Sequence, residues 1–147
     1  MDLDLSSYHA KLSITEKNGK RYIHDPIRKK QLVLQPEELV RQTWIQYLHH
    51  EHQLSFASLA VEKQLTIAGV VRRYDLVYYQ KGLPYILFEF KSYKLGLTQD
   101  NAQQISHYNL ELKVPYLILS NGMQTMVYAV SQSTREIEKL NVFPPIS

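Results

Sequence analysis

Two strand-like runs meet across a tight turn in the middle of this chain, and the second carries charge among residues that otherwise read as core. The first run is Val70–Tyr79, the turn is Lys81-Gly82, and the second run is Pro84–Lys91. Within the second, Ile86, Leu87, Phe88 and Phe90 mark a central, buried strand, interrupted by Glu89 and Lys91. Side chains alternate along a strand, so Glu89 and Lys91 share one face and Phe88 and Phe90 the other. Folding the pair about its turn sets Asp75 opposite Phe88 or Glu89, two registers that the turn leaves open. Two carboxylates on adjacent strands, with a lysine two residues on, then meet on one patch. By spacing alone, the same pattern also describes an ordinary surface ion pair on a hairpin. The apolar setting argues for more, because charges in a central strand are seldom left without a partner or a task.

Around this pair the chain reads as alternating strands and helices. A hairpin is expected from Lys11–Ile14 and Arg21–His24 around Asn18-Gly19. Pro36-Glu37-Glu38 starts a helix that runs to about His50, with Val40, Trp44, Tyr47 and Leu48 as its apolar stripe. Leu59–Ile67 is a strand, Gln99–Leu112 a second helix, and Val114–Leu119 a short buried strand. Asn121-Gly122 then turns into Thr125–Val130, an antiparallel strand at or near an edge. This order, ββ-α-βββ-α-ββ, predicts an α/β fold: a mixed sheet flanked by helices, with the unit from Pro84 to Leu119 as a parallel crossover. No repeat or long linker divides the 147 residues, so one domain is expected, its core at about 36–130 behind the hairpin at 11–24.

Composition narrows the chemistry. With no cysteine, thiolate zinc sites, disulfides and cysteine nucleophiles are excluded. Five glycines form no phosphate-cradling loop, so ATP hydrolysis is not expected of this chain. No apolar run approaches the length of a membrane span, and no secretory signal opens the chain, so a cytoplasmic location is the expectation. A formal charge of +3, with a pI near 9.0, permits a nucleic-acid partner without requiring one. His49, His50 and His52 end the first helix, where the dipole favours histidine over any need for metal. His107 reads as a partly exposed helix histidine, though it would lie one turn from Gln104.

Paired acids at the end of an apolar strand need a cation to offset their burial. A divalent metal, Mg²⁺ with Mn²⁺ as substitute, would take oxygen from Asp75, Glu89 and the backbone carbonyl of Phe90. Such a metal acidifies bound water and stabilises charge on a phosphodiester. Lys91 would orient or deprotonate that water, or neutralise the transition state. Arg72 and Arg73, just ahead of Asp75, offer a contact to backbone phosphate.

An aspartate followed about fourteen residues later by Glu-x-Lys on an apolar strand resembles the PD-(D/E)xK nuclease motif. More specifically, the chain resembles small relatives of the N-terminal nuclease domain of type I restriction enzyme R subunits. The likeness rests on Pro36-Glu37-Glu38-Leu39-Val40-Arg41-Gln42, Val61-Glu62-Lys63, Arg73-Tyr74-Asp75-Leu76, Pro84–Lys91, Gln104 with Tyr108-Asn109, and Asn121-Gly122. One departure is Tyr74, where the motif has proline. The resemblance implies a restriction-endonuclease-like fold and a Mg²⁺-dependent endonuclease acting on DNA. It also implies a glutamate on the first helix, for which Glu37 faces the sheet and Glu38 is the alternative. It implies a glutamine on the second helix as well: Gln104, with Gln103 the other register. Type I R subunits join this domain to a translocase that is not seen here. The expectation is therefore a free-standing nuclease or one delivered by a separate protein, with homodimerisation left open. A silent binding or assembly module on the same fold, and a nuclease for RNA or branched DNA, are the competing readings.

Overall fold

A computed structural model describes residues 3–67, 69–101, 103–104 and 113–147. The N-terminal part forms a three-stranded antiparallel sheet of β1 (Ile14–Lys17), β2 (Lys20–Asp25) and β3 (Lys30–Val33). Asn18 (φ 54°) and Gly19 (φ 78°) both adopt the left-handed backbone that a two-residue hairpin turn demands. The turn closes directly on the Lys17–Lys20 pair, and β1 starts at Ile14 rather than Lys11, which belongs to a preceding 3-10 turn, Ser6–Lys11. The third strand was not expected.

Helix α1 spans Pro36–Glu51, with proline and two glutamates in its first turn and histidines in its last. Six further strands follow: β4 (Leu59–Ile67), β5 (Val70–Gln80), β6 (Leu83–Phe90), β7 (Tyr116–Ser120), β8 (Thr125–Val130) and β9 (Ile137–Leu140). They lie in sequence order in one mixed sheet, antiparallel throughout except for the parallel β6–β7 pair. The expected parallel crossover between those two strands is therefore present. Residues 99–101 and 103–104 of the expected second helix are helical; the rest of that expectation, with His107, Tyr108 and Asn109, lies outside the described residues. β9 was not foreseen, and it places β8 one strand in from the edge.

Each face of the large sheet has its own core. On one, Trp44 of α1 packs against Phe88 and Phe90 at ring-centroid distances of 5.3 and 6.4 Å, joined by Val40, Leu48, Leu76 and Ile118. On the other, Tyr74, Val77, Leu87, Leu117 and Tyr128 cluster. Glu89 lies between the two phenylalanines in sequence and so belongs to the face away from α1.

Two local irregularities aim the strands. A register shift between Tyr78 and Tyr79 follows the two-residue turn Lys81-Gly82, so that Leu76 pairs with Phe88. One step further along that register, Asp75 stands against Glu89, which settles the alternative left open by the turn. On its other side Asp75 faces Glu62, a left-handed residue (φ 52°) at which the β4–β5 pairing skips. Tyr74 packs in the second core and Leu76 in the first, where the alternate positions of a regular strand would share a face. Asp75 sits at that slip.

Candidate functional site

Asp75 and Glu89 come together at the end of the β5–β6 pair. Oδ2 of Asp75 accepts a hydrogen bond from the backbone N–H of Phe90 at 2.7 Å, which ties the carboxylate to the strand that carries Glu89. Lys91, one residue past β6, brings Nζ to 3.7 Å from Oε1 of Glu89, and its backbone N–H donates to Ser120 on β7. Each of the three side chains keeps only 20–26% of its surface exposed, so the group is recessed yet reachable from solvent.

Crowding of two acids in a recess has an electrostatic consequence. Burial, then the neighbouring charge of Asp75, pushes the Glu89 carboxyl up to about 8, with Lys91 pulling the other way. Burial likewise raises Asp75, opposed by the Phe90 N–H and by Arg41. Asp75 and Glu89 are thus held close at a cost that a shared cation would relieve. Paired oxygen donors in this state suit a hard divalent cation such as Mg²⁺ or Mn²⁺, and a backbone carbonyl at Phe90 is of the same hard type.

The first-helix glutamates divide differently from the helical-wheel expectation. Glu37 is exposed, whereas Glu38 is the half-buried one. Its carboxylate accepts from Arg28 at 3.0 Å, Arg41 at 2.9 Å and Gln42 at 3.0 Å. The charge of Glu37 still reaches the centre, adding a smaller upward push to both Asp75 and Glu89. Among the described residues, however, Glu37 does not close with Asp75 and Glu89 into a three-ligand group. Gln103 and Gln104 lie at the described end of the helical segment after β6, both exposed.

Arg41 and Glu62, which were not expected at the site, are part of it. Arg41 is 6% exposed, and its guanidinium spans Glu38, Glu62 and Asp75, the last at 3.5 Å. Through Glu38 and Arg28 this network reaches the fully buried Asp25 of β2. The signal was available: an arginine one turn after Glu37 and one turn before Ile45, on the apolar side of α1. The terminal histidines are taken up in local packing. His49 stacks on Phe56 at 4.2 Å and hydrogen-bonds with the Leu54 carbonyl, and His52 stacks on Phe143 at 4.3 Å.

A family model for the N terminus of type I restriction enzyme R protein matches residues 36–144, most of the chain. The chain belongs to that family. The matched span of this type I R N-terminal chain takes in α1 and the whole six-stranded sheet, the α/β arrangement of a restriction-endonuclease-like fold. It also holds Asp75, Glu89, Lys91, Glu37 and Arg41, and leaves the β1–β3 sheet ahead of it. No curated protein matches the chain. No helix among the described residues is long and apolar enough to cross a membrane.

Proposed function

We propose that this chain is a divalent-metal-dependent nuclease that hydrolyses phosphodiester bonds in DNA. The observation that carries this reading is the Asp75–Glu89 pair, recessed and forced together beside Lys91, in a chain of the type I restriction enzyme R N-terminal family. Asp75, Glu89 and the Phe90 carbonyl would hold Mg²⁺ or Mn²⁺, with Glu37 reaching it through water. When bound, the metal supplies an acidified water and stabilises charge developing on the phosphate.

The remaining work falls to side chains around the recess. The Phe90 N–H and Arg41 fix the rotamer of Asp75, so its free oxygen lone pairs are directed before substrate arrives. Lys91, oriented by Glu89, presents its ammonium at the mouth of the recess, where it neutralises a non-bridging phosphate oxygen and positions the attacking water. Gln104 orients that water from the second helix. The family's printed description, a restriction enzyme protein, points to DNA as the substrate.

The test is cleavage of labelled single-stranded, duplex and branched DNA with Mg²⁺ or Mn²⁺, wild type beside Lys91→Ala and Asp75→Ala. Cutting by the wild type alone supports the assignment. Binding without cutting by all three proteins would replace it with a module that keeps the fold and has no turnover of its own.

A further inference from the structure

The β4–β5 hairpin outruns the sheet that supports it. β6 pairs with β5 no further than Leu76–Phe88, yet β4 and β5 continue to pair from Lys63–Tyr74 out to Ile67–Val70. Among the described residues, no strand backs residues 70–74 on the β6 side. Five residue pairs at about 3.3 Å per residue make a two-stranded ribbon roughly 16 Å long. It springs from Asp75, the residue at the candidate centre.

Its surface is unusual for an unsupported hairpin. Val70 and Val71 are 49% and 54% exposed at the tip, and Arg72 and Arg73 are exposed behind them. Residues 63–74 contain Lys63, Arg72 and Arg73 and no acid. The nearest acid, Glu62, lies at the base, bound to Arg41 and 3.5 Å from Arg73. Lys63 folds its ammonium back over the Tyr79 ring, 5.5 Å from the centroid, and the exposed Arg72 and Arg73 carry the rest of the ribbon's positive charge. Consecutive strand residues point to opposite faces, so Arg72 and Arg73 project from opposite sides of the ribbon.

We infer that this ribbon is a docking arm that lies in a groove of duplex DNA and sets the cleaved strand on the catalytic recess. The inference rests on the nuclease reading for the identity of its partner and adds the form of the substrate. A major groove about 12 Å wide admits a two-stranded ribbon. The groove is walled by phosphates on both sides, and the ribbon carries one arginine towards each wall. The valines at the tip meet base edges and thymine methyl groups, for which an apolar surface is complementary. A second copy of the chain fits less well, because pairing two arms would set arginine against arginine.

The test is fluorescence anisotropy of the whole chain with a labelled duplex and with the matching single strand, across a KCl series in EDTA so that no cutting competes. Four proteins are compared: wild type, Arg72→Ala, Arg72→Ala/Arg73→Ala, and Val70→Ser/Val71→Ser. The slope of log affinity against log salt is expected to shrink by about 0.9 for each phosphate contact removed, and duplex affinity to fall about tenfold or more in the double arginine variant. The valine variant is expected to weaken duplex binding with the slope unchanged, and all variants to melt as the wild type does. Because Arg73 also touches Glu62, each arginine variant is read beside its own melting temperature, so that a loss of fold is told apart from a loss of phosphate contact. Wild-type duplex binding in every variant, or no duplex binding by the wild type, overturns the arm. So does a dimer in light scattering that the valine variant dissociates while duplex affinity stays intact. A chain that binds duplex through the arm but cuts nothing with Mg²⁺ or Mn²⁺ would retain the arm and lose the nuclease reading. A chain that cuts while its arm variants bind normally would do the reverse.

Discussion

The guanidinium of Arg41 lies 3.5 Å from Oδ1 of Asp75, on the side opposite the Phe90 N–H that holds Oδ2 at 2.7 Å. Asp75 is therefore gripped from both the helix and the neighbouring strand. The same guanidinium also serves Glu38 and Glu62, so its removal takes a shared cation from three carboxylates in a partly buried setting and leaves them to their remaining donors. Loss of one partner from such a network costs on the order of 3–5 kcal/mol. Urea denaturation of Arg41→Ala should show a loss of that size, with Arg41→Lys intermediate, because a single ammonium nitrogen cannot span carboxylates that the planar guanidinium reaches through separate nitrogens. A loss below about 1 kcal/mol would mean the network adds nothing net.

Divalent-metal affinity should rise with pH up to the titration of Glu89. Its carboxyl is pushed up to about 8 by burial and by Asp75, so at neutral pH the metal-free centre carries a proton that a cation must displace. Below about pH 8 the apparent Mn²⁺ affinity is expected to climb close to tenfold per pH unit, then level off. Calorimetry in buffers of different ionisation enthalpy would count the released proton. Stability of the metal-free protein should move the opposite way. A carboxyl raised in the folded state favours folding below its unfolded value of 4.5, and that contribution is lost as pH rises towards 8. A metal affinity indifferent to pH would remove Glu89 as a ligand.

Asp25 gives a second pH signature of opposite sign. Burial alone would raise its carboxyl, but hydrogen bonds from the Arg28 side chain at 2.6 Å and from the backbone N–H groups of Arg28 and Ile27 hold it below the usual value of 3.8. A depressed carboxyl stabilises the fold above its unfolded value, and the contribution disappears as pH falls through the folded one. Asp25→Asn should therefore be less stable than wild type at neutral pH, the gap narrowing as acid protonates the wild-type residue. Equal melting temperatures at pH 7 would refute the role given to this residue.

Trp44 fastens α1 to the strand that carries Glu89. Fully buried between Phe88, Phe90, Tyr47 and Phe143, it is also the chain's single tryptophan. Trp44→Ala should cost about 3–5 kcal/mol in thermal or chemical unfolding. Tryptophan fluorescence of the wild type provides an independent readout, shifting to the red as the site is exposed.

Much of this architecture was legible because it is written in local patterns. α1 follows from proline, paired glutamates and a stripe of Val40, Trp44 and Leu48 at helical spacing. β4 and β8 fall where their β-branched and aromatic residues place them. β3 and β9 were not legible. Each is four residues long with only two apolar residues, and each is held by backbone pairing to β2 or β8, which leaves little trace in a hydrophobic pattern. Arg41 and Glu62 escaped for a related reason: their importance lies in partners 34 and 21 residues away.

The acid-lysine pattern and the apolar strand around it already required that Glu89 and Lys91 share a face away from Phe88 and Phe90, since a strand alternates whatever surrounds it. They did not set where Asp75 would meet that strand. The turn at Lys81-Gly82 pairs Gln80 with Leu83, and a regular ladder from there would bring Asp75 opposite Phe88. The shift between Tyr78 and Tyr79 adds one residue to that count, and Asp75 meets Glu89 instead. A one-residue slip exchanges the faces of a strand. With this register Leu76 fills one core and Val77 the other, against residues from distant parts of the chain that only the folded sheet brings together.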